Sequence, residues 1–253
     1  MKWIAYAALF VLITALTLIV TAPLSFVMER ARQSAPAISY AATTGTIWNG
    51  DVNGLRYGVQ SIGNVSIRTQ WTALLVGQLK SDFQLTDGGV VALGNLTAGL
   101  SGALSLNDVQ VRGRTSDLMT LREEVRALDG EFTLNLSELV VKSGNCQRAT
   151  GRVWTDTLGK LEPTYGWAGP ELSGPISCEN GKIAIRLSSP DDEADKMRAE
   201  LLIGLDATGT FRAEIDNPTN DVAQAATILG FVTIGDQMVY EHVLTNAQTG
   251  ATR

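Results

Sequence analysis

The stretch GEFTLNL, residues 130–136, alternates apolar and polar side chains along its length. In an extended chain, Phe132, Leu134 and Leu136 lie on one face, and the polar residues between them lie on the other. Such alternation is typical of a strand in an antiparallel sheet that has one buried and one solvated face. This stretch therefore predicts a β fold.

The same period of two recurs in later segments. Ile183, Ile185 and Leu187 alternate with polar or small residues, and so do the apolar residues of 197–205. Glycine occurs 25 times and often separates such segments, as hairpin turns and bulges require. We therefore expect many short strands joined by tight turns.

The segments 102–111 and 130–141 resemble each other. In both, the apolar phase slips by one residue after the second leucine, which predicts a bulge at Asn107–Asp108 and at Ser137–Glu138. Coincidence among leucine-rich strands is the alternative interpretation. A true repeat would mark a β unit of the kind that builds a long curved sheet.

Helical patterning is scarce in the part of the sequence that follows the first 32 residues. Ser116 is a candidate N-cap for a helix over 117–128, and a second short helix is predicted over 222–229. The predicted fold is mainly β: a curved antiparallel β-sheet, forming a groove or an incomplete barrel, with one or two short helices.

The N-terminal segment predicts a membrane anchor. No Asp, Glu, Lys, Arg or His occurs in Trp3–Leu24, which as a helix spans about 33 Å, enough to cross a hydrocarbon core of about 30 Å. A cleaved signal peptide is the alternative, but its apolar core is usually only about 7–15 residues long, and Pro23 disfavours cleavage before it. The predicted domains are residues 1–33, a short cytoplasmic N-terminus with the transmembrane helix and its continuation, and residues 34–253, a β-domain.

The two cysteines, Cys146 and Cys178, both stand in turn-like sequence beside predicted strands. In an oxidising compartment they would pair, closing a loop worth about 3–4 kcal/mol; two unpaired, partly buried thiols are the alternative. A redox pair is disfavoured because the chain has no C-x-x-C motif. An even cysteine count behind an N-terminal anchor predicts a single-pass protein of the bacterial inner membrane with its bulk in the periplasm.

Composition and motifs give little support for catalysis. The net charge of −6 argues against nucleic-acid binding, which requires a basic patch. His242 is the sole histidine, so a zinc site with two histidines is excluded. The acidic cluster at 190–195 is predicted to be a solvated hairpin loop. We predict no catalytic residue, no metal ligand and no cofactor; an enzyme built from scattered carboxylates is a distant alternative.

Tryptophan and glycine recur together in three motifs: GTIWNG at 45–50, QWTALLVGQL at 70–79 and GRVW at 151–154. Each tryptophan has two possible roles. It is either a core anchor beside a tight turn or part of an apolar groove or partner-facing patch. The sequence leaves this choice open.

On these motifs the chain resembles the type II secretion system protein N family, whose periplasmic body opens with G-T-Φ-W-x-G. A tryptophan then leads into L-L-x-G-x-L, and here Thr72–Ala73 stand where the family often has proline. Cys146 and Cys178 also look like the family's later section. The residues that carry the resemblance are Gly45, Thr46, Trp48, Gly50, Trp71, Gly77, Gly151 and Trp154.

The resemblance implies a non-catalytic component of the machinery that exports folded proteins from the periplasm. Its expected partners are other type II secretion subunits, namely the inner-membrane platform and the secretin, with Trp3–Leu24 in the membrane. The family is also related to AsmA-like proteins, whose curved sheets form grooves for lipid tails. A periplasmic lipid-binding or lipid-transport β-groove protein is therefore the alternative function.

Overall fold

A computed structural model describes residues 3, 6, 10, 14, 17, 20–34, 37–58, 60–99, 102–118, 123–191, 196–206 and 208–244. Within this part of the chain, fifteen strands form one open, antiparallel sheet. In chain order they are β1 (Ile38–Ser39), β2 (Ala42–Gly45), β3 (Asn49–Tyr57), β4 (Gln60–Gln70), β5 (Gln78–Thr86), β6 (Val90–Gly99), β7 (Ala103–Arg114), β8 (Glu131–Lys142), β9 (Asn145–Thr155), β10 (Leu172–Glu179), β11 (Lys182–Ser188), β12 (Lys196–Ile203), β13 (Gly209–Asp216), β14 (Val232–Ile234) and β15 (Gln237–Leu244).

The sheet is a meander, because every strand from β3 to β12 pairs with the next one in the chain. At one edge, β1 and β2 pair with different parts of β3. At the other edge, β15 lies between β13 and β14. The mainly β, antiparallel class predicted from the alternation is confirmed.

Helical elements are short. They are α1 (Leu24–Ser34), α2 (Glu123–Arg126), α3 (Glu162–Tyr165), α4 (Asn220–Ile228) and the 3₁₀ segments Trp71–Val76, Thr115–Asp117 and Thr157–Leu161. The helix predicted over 222–229 corresponds to α4. Ser116 does not act as an N-cap; its hydroxyl donates to the Asp129 carboxylate instead, at 2.6 Å.

No helix among the described residues is long and apolar enough to cross a membrane. The predicted span Trp3–Leu24 lies largely outside those residues. Within it, the Thr14 hydroxyl donates to the Phe10 carbonyl at 2.9 Å, and the Thr21 amide donates to the Thr17 carbonyl at 2.9 Å. Both are contacts between residues i and i−4, as in a helix.

The two faces of the sheet differ in polarity from β3 to β9. One register row from β3 to β9 is apolar and consists of Val52, Val65, Leu85, Ala92, Val111, Leu134 and Val153. The adjacent row points to the opposite face and consists of Asp51, Ser66, Gln84, Leu93, Gln110, Asn135 and Arg152. We call these the apolar face and the outer face; the alternation of residues 130–136 follows from this arrangement.

Two hydrophobic clusters lie on the apolar face, and they are covered differently. In the first, Val222 and Ala226 of α4 pack with Ile215 and Met238 of β13 and β15. In the second, around Val109 and Leu136, every member belongs to a strand. Helix α4 therefore covers the β12–β15 end of this face, and the middle part around Val109 and Leu136 is made by strand residues.

Both predicted bulges are confirmed. Between β6 and β7 the register shifts at Asp108, which has a φ of 52°, and between β8 and β9 it shifts at Ser137. On the β7–β8 ladder, Asn107 pairs with Glu138 and Val109 with Leu136. The two bulges therefore lie opposite each other, and they bend both strands at the same level.

Two aromatic rings on the apolar face lie across glycines of the neighbouring strand. A β-carbon built on Gly94 would come within 3.0 Å of Phe83 Cζ, and one built on Gly113 within 2.9 Å of Phe132 Cζ. Each ring thereby occupies the space that a side chain would fill. This glycine–aromatic pairing holds bulky side chains flat on the sheet.

Candidate functional site

The GTIWNG motif forms the β2–β3 hairpin, and its residues hold one another in place. Gly45 has a φ of +79°, and a β-carbon there would lie 2.3 Å from the Asn49 carbonyl oxygen. The Thr46 hydroxyl accepts hydrogen bonds from the amides of Trp48 and Asn49, both at 3.3 Å. Glycine and threonine therefore define this turn through backbone conformation and side-chain capping.

The chain that leaves the N-terminal segment is attached to this hairpin. The Ile47 amide donates to the Ala22 carbonyl at 3.1 Å, and Pro23 forms an isolated antiparallel bridge with Thr46. Leu24, at the start of α1, is buried against Gly50, where a β-carbon would come within 2.8 Å of Leu24 Cδ2. The motif thus fixes the point at which residues 22–24 join the sheet.

The end of β4 clamps the same hairpin from its other side. The Thr69 amide donates to the Trp48 carbonyl at 2.7 Å, and the Thr69 hydroxyl donates to the Ile47 carbonyl at 2.9 Å. Trp71 begins the 3₁₀ segment only two residues later. The first and second sequence motifs are therefore brought together at one end of the sheet.

The second motif exposes its apolar side chains there. Trp71 and Leu74 of the 3₁₀ segment are exposed, whereas Trp48 is half-buried. The segment ends at Gly77, which has a φ of 72° and whose amide donates to the Leu74 carbonyl at 3.0 Å. Of the two roles left open for the tryptophans, Trp71 fits the exposed patch and not the core anchor.

The third motif lies elsewhere in the sheet. Gly151 lies in β9, where a β-carbon would come within 2.6 Å of the Asn135 carbonyl oxygen. The Trp154 indole nitrogen donates to the Glu171 carboxylate at 2.8 Å. Because β9 is six strands from β3, this motif is about 29 Å away from the hairpin along the sheet.

Cys146 and Cys178 form a disulfide bond between β9 and β10, with their α-carbons 5.6 Å apart. The register pairs of these two strands run from Leu172–Thr155 to Ile176–Gly151. Beyond them the strands are joined by the disulfide and by the Cys146 amide, which donates to the Gly181 carbonyl at 2.8 Å. The disulfide therefore holds the strand ends together where the ladder stops.

The outer face of β11–β13 carries a network of ion pairs. Arg186 contacts Glu179 and Glu200, and the hydrogen bond and negative charge of these carboxylates raise the pKa of the guanidinium above its usual value. Further along, Arg198 contacts Glu214 and Asp216. Arg186, Arg198, Glu200 and Glu214 of this network line an open depression of about 470 Å³, which presents paired charges to solvent.

The candidate catalytic and metal-ligating residues do not come together in one site among the described residues. Within the described ranges, no three His, Cys, Asp or Glu side chains are close enough to hold a metal ion. His242 stacks on Tyr240 with ring centroids 6.5 Å apart. Of the acidic cluster, Pro190 and Asp191 lie in the β11–β12 connection, and residues 192–195 are outside the described residues.

Three residues of these contacts were not identified as site residues from the sequence. Leu24 was the last residue of the predicted span, and its fit to Gly50 has no local signature. Thr69 and Glu171 are ordinary polar residues whose partners are 22 and 17 residues away, respectively. The only local signals were the motifs GTIWNG at 45–50 and GRVW at 151–154, whose glycines indicate that other residues pack closely against them.

Comparison with known families agrees with this geometry. The family model described as type II secretion system (T2SS), protein N, matches residues 36–237, most of the chain. The match includes the hairpin motif, the 3₁₀ segment, both cysteines and the third tryptophan motif. No curated protein and no solved structure matches the chain.

Proposed function

The chain belongs to the type II secretion system protein N family, and we propose that it acts as a non-catalytic component of this machinery, anchored in the inner membrane. In this proposal, residues 1–33 contain the cytoplasmic N-terminus, the transmembrane helix and its continuation, and residues 34–253 form the periplasmic β-domain. The observation that carries it is the family match over residues 36–237.

The N-terminal segment supports the anchor. Trp3, Tyr6 and Phe10 expose 87%, 67% and 72% of their surface, respectively, in a stretch without a charged residue. Large aromatic side chains of this kind favour a lipid environment, with tryptophan and tyrosine at the interface. A bilayer would bury the surface that the rest of the chain leaves open.

The opposite end of the sheet offers a surface for partners. The longest connections lie there, including α2, α3, α4 and the loop that contains residues 190–191. The terminal strand β14 is also exposed, with Val232 and Ile234 both more than half accessible, and an unpaired strand edge can accept a strand from another chain. We place the contact with secretion subunits on this end.

Cross-linking in native inner membranes tests the proposal, because exposed lysines mark both ends of the sheet. Lys160 and Lys196 lie at the end with the long connections, and Lys80 and Lys142 lie at the end where residues 22–24 join the sheet. With the protein at its natural level, we expect links from the first pair to periplasmic parts of the secretin or the platform. Mass spectrometry identifies the linked peptides.

A matched control keeps the charge and removes the reactive amine. In the variant Lys160→Arg/Lys196→Arg, those links should disappear while export of secreted proteins continues. Absence of all links, in a preparation that shows the platform's own internal links, would contradict the proposal. Normal release of secreted proteins from a strain with a clean deletion would contradict it as well.

A lipid-binding groove is the second candidate function. It is favoured by the middle of the apolar face, where the second cluster consists of strand residues alone and Phe83, Leu106 and Leu134 are only partly buried. A photoreactive phospholipid added to membranes that contain the full chain distinguishes this role. Adducts on these three residues would support a groove, and adducts restricted to the N-terminal segment would exclude it.

A further inference from the structure

An apolar tip projects from the end of the sheet at which the N-terminal chain is attached. We define it by Trp71, Leu74, Leu79 and Leu104, which expose 65%, 45%, 40% and 39% of their surface, respectively. Clusters of large exposed apolar side chains on a soluble domain mark a site of interaction with a partner or a membrane. Neither the ion-pair network nor the disulfide makes use of this surface.

The strand register brings two of the leucines of the tip close together. Leu79 and Leu104 both pair with Ala98, from its two sides, on the apolar face. At a strand spacing of about 4.8 Å, their α-carbons are about 10 Å apart. The 3₁₀ segment with Trp71 and Leu74 connects β4 to β5 and packs on β5.

The N-terminal chain enters beside this tip. Ala22 is hydrogen-bonded to Ile47, and the Thr69 amide and hydroxyl bind the carbonyls of Trp48 and Ile47. Trp71 follows Thr69 by two residues and begins the 3₁₀ segment after β4, the strand next to the hairpin. Along the sheet, Trp71 is therefore about one strand spacing, about 5 Å, from the exit of the N-terminal segment, and Leu79 and Leu104 are about 10 and 19 Å from it.

The β8–β9 and β10–β11 turns at this end of the sheet are polar, whereas the β12–β13 connection also contains Leu205, which is 46% exposed. The β8–β9 turn contains Ser143–Gly144, the β10–β11 turn Asn180–Gly181, and the β12–β13 connection Gly204 and Asp206. They lie progressively farther from β3 along the sheet, up to about 40 Å away. Val243, near the end of β15, is also exposed at this end, but it and Leu205 are single residues, whereas the tip combines one tryptophan and three leucines.

We propose that the apolar tip inserts into the interfacial region of the phospholipid bilayer that the N-terminal segment enters. This inference rests on the proposed membrane anchor. Tryptophan suits the headgroup region, where its ring is buried and its N–H remains hydrated, and leucine reaches the acyl chains below it. A second contact beside the anchor prevents the β-domain from pivoting about residues 22–24, so the end with the long connections points away from the membrane.

The tryptophans allow a direct test with the full chain. We reconstitute it in bilayers of phosphatidylcholine and phosphatidylglycerol in which the phosphatidylcholine carries bromine near the headgroup end of its acyl chains. Bromine quenches the emission of a nearby indole. Comparing the whole chain with Trp71→Phe, Trp3→Phe and Trp154→Phe assigns the quenched emission to one residue at a time.

Each outcome of the quenching experiment supports or overturns one part of the proposal. We expect the Trp71 emission to be lost in brominated bilayers and that of Trp154, on the outer face, to be unchanged. Quenching of Trp3 without Trp71 overturns the tip contact and leaves the anchor in place; the tip would then face a protein partner. If neither Trp3 nor Trp71 is quenched, the membrane anchor is overturned as well. Quenching of Trp154 would show that the membrane contact is not confined to the tip.

Discussion

Leu24 occupies the space above the α-carbon of Gly50, since a β-carbon at that position would lie 2.8 Å from Leu24 Cδ2. The same β-carbon would be 2.7 Å from the carbonyl oxygens of both Thr44 and Thr46. Side chain and backbone together therefore exclude any residue larger than glycine. Through this contact the GTIWNG motif joins the start of α1 to the sheet.

Gly50→Ala should destabilise the detergent-purified full chain by about 1–3 kcal/mol, because the methyl group forces Leu24 and the hairpin apart. Urea unfolding followed by circular dichroism measures the change. The matched control is Gly159→Ala, where the nearest atom to the new methyl would be 3.6 Å away. Equal free energies of unfolding for both variants would contradict the packing described for Gly50.

The disulfide should contribute about 2–5 kcal/mol to the free energy of unfolding. We expect Cys146→Ala/Cys178→Ala to unfold at a lower urea concentration than the oxidised protein, because its unfolded state is no longer cross-linked. Adding reductant should lower the midpoint of the parent protein and leave that of the double variant unchanged. A parent midpoint that is insensitive to complete reduction would show that the bond adds nothing to stability.

Asp156 should make stability depend on acid pH. Burial acts to raise the pKa of its carboxyl, but the Glu131 amide at 2.6 Å and the Lys160 ammonium at 3.0 Å outweigh this and hold the pKa below its usual value. A carboxyl with a lowered pKa in the folded state stabilises above its unfolded-state pKa, near 3.9. This contribution is lost as the pH falls through the folded-state value.

We therefore expect Asp156→Asn to lower the free energy of unfolding by about 1 kcal/mol at pH 7. The difference from the parent should shrink once the pH falls below about 4. Urea unfolding at pH 7 and at a pH below about 4 measures this difference. Glu162→Gln, at an exposed position, is the control for loss of one negative charge. A difference that is the same at both pH values would assign the effect to packing and not to ionisation.

Side chains on the two faces of β12 and β13 should contribute differently to the free energy of unfolding. Ile215→Ala removes a side chain that is 1% exposed and should cost about 2–5 kcal/mol through lost burial and the cavity left behind. Arg198→Ala, on the outer face, breaks exposed ion pairs and should cost less than about 1 kcal/mol.

Thermal unfolding of the two variants measures this difference. The small effect of Arg198→Ala should diminish further in high salt, which screens exposed charges. A loss for Arg198→Ala as large as that for Ile215→Ala would mean that the ion-pair network is part of the core.

Much of the sheet could be predicted locally. The alternation of residues 130–136 and 183–187 indicated which side chains share a face, because the side-chain period of a strand depends only on its backbone. The phase slips at Asp108 and Ser137 indicated the bulges for the same reason. The predicted N-cap at Ser116 was wrong. Ser116 has a capping sequence, but its hydroxyl donates to the carboxylate of Asp129, which is close in space.

The sequence by itself determined the strand pattern, the bulges, the glycine-rich turns and the family, because these are recorded in the order of neighbouring residues. Only the tertiary structure decided what each tryptophan does. Trp48 is half-buried in a hairpin clamped by Thr69, Trp154 donates to Glu171, and Trp71 is exposed, although all three stand in similar local sequence. Burial depends on which distant segments lie above a side chain, and that is fixed by strand register and by where residues 22–24 attach.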